Sequence, residues 1–119
     1  MPVSVRRRFL PALLLLSAAV AVLSCSEAVG PNGEKIVKVE DNDFDPTTQS
    51  IAPGEAVMWQ WAGSNPHNVT WVEQSGTGNS DTQSSGTYTR NFSTAGSYAY
   101  YCTIHGTATT GMRGSVVVQ

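Results

Sequence analysis

From residue 34 to the C-terminus, apolar side chains recur at every second position in short runs. No window repeats at the 3.6-residue spacing of an amphipathic helix. The clearest run is 56–61, in which Val57, Trp59 and Trp61 fall on one face of a strand and Met58 and Gln60 on the other. Residues 35–40 alternate in the same way, placing Val37 and Val39 inward with Ile36 offset. Further extended pieces are expected from Ile51 up to the turn at Pro53-Gly54, and over 68–72, 87–92, 97–102 and 115–118, with Gly, Pro and Asn between them. A polar Gly/Ser/Thr segment, 73–86, fills the widest gap. Seven or eight strands at this spacing predict an all-β chain, folded as a two-sheet β-sandwich with its core between the inner faces. A domain of this length buries a workable core without disulfides.

The first two dozen residues read as an address. Arg6, Arg7 and Arg8 precede an almost wholly apolar stretch, 9–23, closed by Ser24-Cys25. That order is the pattern of a secretory signal peptide over residues 1–24, and about 15 apolar residues fall short of the roughly 20 that a membrane span needs. Arg6-Arg7-Arg8-Phe9-Leu10 resembles a twin-arginine export signal, with the general secretory route as the alternative. Val22-Leu23-Ser24-Cys25 resembles a bacterial lipobox, which implies that Cys25 is the lipid-modified first residue of the exported chain. Ordinary cleavage nearby would instead leave Cys25 as a free thiol. On this reading residues 25–33 are a lipid-anchored linker lifting a domain, 34–119, off the outer face of a membrane.

Without residues 1–24 the chain keeps nine acidic and four basic residues, a formal charge of −5. Such a surface is poorly suited to nucleic acid, whose phosphates demand basic patches. Four acids, Glu40, Asp41, Asp43 and Asp45, crowd one segment. They read as a solvated loop, or as a patch that steers a basic protein partner. Nothing in the sequence demands more than a monomer.

Cysteine is sparse: Cys25 and Cys102 are the two in the chain. An exported domain of this size often carries disulfides, so a lone Cys102 in an oxidising compartment suggests a thiolate held by a metal. The two histidines of the chain support this. His67 follows Asn65-Pro66 in a loop, and His105 lies three residues after Cys102 at the end of a predicted strand. Met112 follows a six-residue loop, just before the last strand. Two imidazoles and a thiolate in a trigonal set, with a weak axial thioether, suit one copper ion cycling between Cu(I) and Cu(II). Zinc also accepts Cys/His ligands, but the Met argues for copper.

Tyr100-Tyr101-Cys102-Thr103-Ile104-His105-Gly106, with Met112-Arg113-Gly114-Ser115-Val116-Val117-Val118, resembles the C-terminal copper loop and last strand of the cupredoxins, the plastocyanin/azurin family. Asn65-Pro66-His67-Asn68-Val69-Thr70 resembles that family's first-histidine loop, and Val57-x-Trp59 the strand before it. The likeness spans roughly residues 34–119. It implies an eight-stranded Greek-key β-sandwich, metal ligation by His67, Cys102, His105 and Met112, and one-electron transfer between redox partner proteins in the periplasm or on the cell-envelope face. It also implies that Asn68 braces the Cys102–Thr103 region, with the Thr103 hydroxyl as a partner. His105 would face solvent amid an apolar rim of Pro66, Gly106 and Ala108. The loop from His105 to Met112 is longer than in many plastocyanin-like members, which leaves the axial geometry open.

An enzyme is disfavoured. Copper oxidases and nitrite reductases need further histidine-bound copper, and both histidines are already assigned. A Cys102/His105 nucleophile pair lacks an orienting carboxylate or amide nearby and leaves His67 unexplained. Copper storage or delivery without redox turnover remains the alternative.

Overall fold

The computed structural model describes Ala19, Ala21, residues 27–73 and residues 78–119. The export signal, the lipobox and Cys25 lie outside the described residues. The described residues form eight strands: β1 (Lys35–Glu40), β2 (Asp43–Asp45), β3 (Thr48–Ile51), β4 (Ala56–Trp61), β5 (Thr70–Trp71), β6 (Thr87–Asn91), β7 (Gly96–Gly106) and β8 (Gly111–Val118). They build the expected sandwich of two four-stranded sheets, ordered β2-β1-β4-β6 and β3-β8-β7-β5. β1 pairs in parallel with β4, and β3 in parallel with β8. A tight hairpin cannot join parallel neighbours, so the chain crosses between the sheets and stitches them together.

Period-two alternation does what the sequence implied in β1 and β4. Val37, Val39, Val57 and Trp59 are fully buried, and Trp61 nearly so. Trp59 is the hub of the core, with ring centroids 5.3–5.5 Å from Trp71, Tyr88 and Tyr100, the Trp71 and Tyr100 contacts being edge-to-face. Aromatic edges prefer such faces. The Trp71 indole N–H donates to the Tyr88 hydroxyl at 3.0 Å, which donates on to the Gly78 carbonyl at 2.8 Å.

Four differences from the sequence reading have local causes. The acidic segment contains a strand, β2, because Phe44 turns fully inward between outward Asp43 and Asp45; one aromatic in three residues outweighs its charged neighbours. The extended piece near Ile51 ends there instead of beginning there, since Gln49 and Ile51 are its buried pair and β8 supplies its partner strand. The run at 68–72 contracts to β5, because residues 67–69 bond to the 80–83 segment instead. β7 continues past Cys102 to Gly106.

Residues 27–33, read as part of a linker, lie against the domain. Val29 bridges to Lys35, the Ile36 N–H donates to the Ala28 carbonyl, and Glu27 pairs with Lys35 at 2.6 Å. The buried Glu34 carboxylate accepts from both the backbone and the side-chain N–H of Asn32, which holds its pKa below the ordinary carboxylate value.

Candidate metal centre

The first histidine is held by its backbone. After β4 the Ala62 and Gly63 N–H groups donate to the Val39 carbonyl at 2.9 and 3.2 Å, turning the chain across the end of the sandwich. His67 then exchanges both backbone hydrogen bonds with Gln83, each 3.0 Å long. Its ring is fully buried.

The other two donors come from a bulge. β7 and β8 pair in register as far as Tyr101 opposite Arg113, and resume with Gly106 opposite Gly111. Between those pairs the four residues from Cys102 to His105 face Met112 alone. Bulges re-aim side chains next to functional sites, and this one carries two candidate ligands on one strand. The hairpin tip closes tightly, with the Thr107 N–H donating to the Thr110 carbonyl at 2.8 Å. Gly111 sits there at a φ of 75°, a region that suits glycine.

Three donor atoms converge. Cys102 Sγ lies 3.8 Å from His67 Nδ1 and 3.8 Å from His105 Nδ1, and the two Nδ1 atoms are 3.1 Å apart. A triangle with those sides has a circumradius of about 2.1 Å, within the roughly 2.0–2.3 Å of first-row metal bonds to imidazole and thiolate. The residues therefore fit a single ion held in their plane. Cys102 is fully buried and His105 half-buried. Met112 is buried at the start of β8 across from the bulge, where its register directs it to the same end of the sandwich.

Asn68 ties the two ligand segments together. Its amide N–H donates to the Thr103 hydroxyl at 2.7 Å and to the Thr82 hydroxyl at 3.0 Å, while its carbonyl accepts the Thr103 N–H at 3.1 Å and the Thr70 hydroxyl at 2.9 Å. β5 pairs with β7 only as far as Thr70 opposite Tyr101, and the Thr103 N–H beyond that end is thus satisfied. Next to His105 in the chain, Ile104 is 50 % exposed and Gly106 half-buried, and Pro66, next to His67, is exposed; Ala108, expected in the same rim, instead lines a surface cavity with Ala99, Arg113 and Ser115.

One contact was not legible in the sequence. Asp41, at the tip of the β1–β2 hairpin, reaches His67 Nε2 at 3.1 Å. Its carboxylate also accepts the Asn65 N–H at 2.9 Å and the Ser64 N–H at 3.0 Å. Those backbone donors first, then His67, hold the Asp41 carboxyl below its ordinary pKa. A Cβ on Gly63 would collide with Asp41, so the close approach of the two loops needs glycine there. In the sequence Asp41 was one of four crowded acids, and nothing in its spacing tied it to a residue 26 positions away.

Comparison with known proteins agrees with this geometry. The sequence model of "Copper binding proteins, plastocyanin/azurin family" matches residues 33–119. The chain is 34% identical over 116 residues to the chloroplastic plastocyanin of Tetradesmus obliquus, covering 87% of this chain and 79% of that one. It is 30% identical over 86 residues to the plastocyanin of Scenedesmus fuscus, covering 64% and 86%. Among solved structures it superposes on a Cu(I) amicyanin variant with a TM-score of 0.64 at 26% identity, over 74% of this chain and 84% of the other. With a cupredoxin sandwich and a His67, Cys102 and His105 triad compatible with a type 1 copper ligand set, the chain belongs to the plastocyanin/azurin family of copper-binding proteins.

Proposed function

We propose that this protein is a one-electron carrier that works outside the cytoplasm and passes electrons between larger redox proteins. The observation that carries the reading is the donor triangle, sealed at two corners and open at the third: His67 and Cys102 are fully buried, while His105 is only half-buried beside the exposed Ile104. Bound copper would supply the Cu(II)/Cu(I) couple. His67, Cys102 and His105 would hold it, with the Met112 thioether as a further donor.

The protein's own contribution is rigidity. His67 is clamped by Gln83, and the bulge by Asn68, so the donors keep their positions in either oxidation state. Cys102 would supply the thiolate donor beside the two imidazoles. The half-buried His105 would offer its ring edge to a partner, and the exposed Ile104 and Pro66 would help keep that contact dry. A rim this small suits a short-lived encounter, as redox partners make. The partners are proteins of unassigned identity, the carrier acts as a monomer, and a lipid on Cys25 would keep it at the cell-envelope face.

The test is a Cu(II) titration of the metal-free protein followed in visible light. The expected result is an intense thiolate-to-copper band that saturates at one equivalent and bleaches and returns over repeated reduction and oxidation with the metal retained. A band that forms but loses its copper on reduction would favour delivery. No band in a folded protein would overturn the copper-carrier reading.

A further inference from the structure

Among the described residues, Asp41 is the acid that touches a member of the donor triad. We propose that it is a positioning residue for the centre: it fixes the tautomer of His67 and biases the site toward the oxidised metal. This rests on the reading of the triad as a one-electron copper site.

The geometry carries the first part. A neutral imidazole has one N–H and one bare nitrogen, and the bond made by one decides the state of the other. Asp41 Oδ1 stands 3.1 Å from Nε2. An ionised carboxylate only accepts, so the proton lies on Nε2 and Nδ1 presents its lone pair to Cys102 and His105. The ring cannot turn to exchange the two nitrogens, because it is fully buried. Asp41 itself is immobilised by two backbone N–H groups from the loop that leads into His67. The hairpin tip that aims it is set by Asn42, whose φ of 76° asparagine tolerates better than most residues.

The second part is electrostatic. Two neutral imidazoles and one thiolate leave a Cu(II) site with one positive charge and a Cu(I) site with none. Asp41, itself 36% exposed, adds one negative charge beside the buried ring, which offsets the charge of the oxidised state and leaves the reduced state with a net negative charge. Hydrogen bonding to the carboxylate also makes the imidazole a stronger donor, and loss of such partners typically costs about 10–100-fold in metal affinity. The loss on removing Asp41 falls more heavily on Cu(II) than on Cu(I).

Two measurements test this. In the metal-free protein, 15N correlation spectra of the imidazole rings should show His67 protonated at Nε2 and bare at Nδ1. Asp41→Asn keeps an acceptor for Nε2 and for the backbone donors but removes the charge, so the tautomer should persist. Its copper reduction potential should rise by about 59 mV for each tenfold shift in Cu(II) over Cu(I) preference. Asp41→Ala should raise the potential and also mix the tautomers. A His67 protonated at Nδ1 in the unmodified metal-free protein, or an Asp41→Asn potential equal to the unmodified one, would overturn the proposal. The ring spectra need no copper, so failure of the carrier reading would be seen separately, as an absent blue band in unmodified protein.

Discussion

Replacing Gly111 by alanine asks whether the hairpin tip shapes the metal centre. The φ of 75° at Gly111 imposes a left-handed backbone, which costs a residue with a Cβ about 1–2 kcal/mol. The added carbon would lie 2.5 Å from the His105 carbonyl oxygen and 2.8 Å from Gly106 Cα. Both are backbone atoms, so no rotamer relieves the overlap, and overpacking of this kind costs roughly 1–3 kcal/mol more. Gly54 is the control: its φ is 92°, and a Cβ there would meet nothing within 4 Å. Alanine also restricts the unfolded chain by about 0.4–1 kcal/mol at either site, and that gain cancels between the two variants. Gly111→Ala should therefore be less stable than Gly54→Ala by about 1–3 kcal/mol, read from urea unfolding of the metal-free proteins. In Tm the gap should be roughly 5–20 °C, at about 4–8 °C per kcal/mol for a domain of this size. Because the displaced atoms belong to His105 and Gly106, Gly111→Ala alone should also weaken Cu(II) binding and alter the visible band. Equal losses in the two variants would refute the idea that contact at the tip fixes the loop.

Three further outcomes are expected. Glu34 titrates below its ordinary value in the folded state because Asn32 donates to it, so the unfolded chain takes up the proton first as the pH falls. Its stabilisation is present above the ordinary carboxylate range and is lost as pH drops through the lowered value; Glu34→Gln should flatten that acid limb in denaturation midpoints measured against pH. Arg90 lies over the Trp71, Phe92 and Tyr98 rings at 4.1, 4.7 and 5.1 Å and pairs with Glu73 at 3.1 Å. Arg90→Ala should cost about 1–3 kcal/mol through lost stacking and packing, whereas Arg90→Met, which keeps the apolar stem, should recover part of that in the same urea assay. Asn68→Ala strips four hydrogen bonds, two of them between the two ligand segments; copper should leave the variant at least tenfold faster, seen in competition with a chelator.

The parts of the fold that alternate cleanly were legible: β4 spans the residues its pattern marked, and Val37 and Val39 point inward as expected. β2 and β3 were not, because DFD and TQSI each carry only one or two core side chains and acquire their strand character from neighbours. At the centre, the Cys102/His105 spacing and the two histidines were enough to bring His67 into the set. The convergence itself came from tertiary structure. No local pattern encodes that His67 and Cys102, 35 residues apart, meet at 3.8 Å, nor that a hairpin tip near residue 41 backs the ring.

The register of β7 against β8 explains why the centre takes this form. A regular antiparallel pair would send alternate side chains to opposite faces, so Cys102 and His105, three apart, could not point to the same place. Setting four residues against one breaks that alternation and lets both turn toward His67. β5 is only two residues long and leaves β7 without a strand partner on that side beyond Tyr101, and a buried, unpaired N–H costs about 1–3 kcal/mol. Asn68 offsets this by accepting the Thr103 N–H from the segment that bears His67. The same side chain therefore satisfies the irregular strand and locks it to the opposite ligand loop. Rigidity at the metal follows from repairing the backbone, and both ligand segments owe their relative position to a residue that offers the metal no donor.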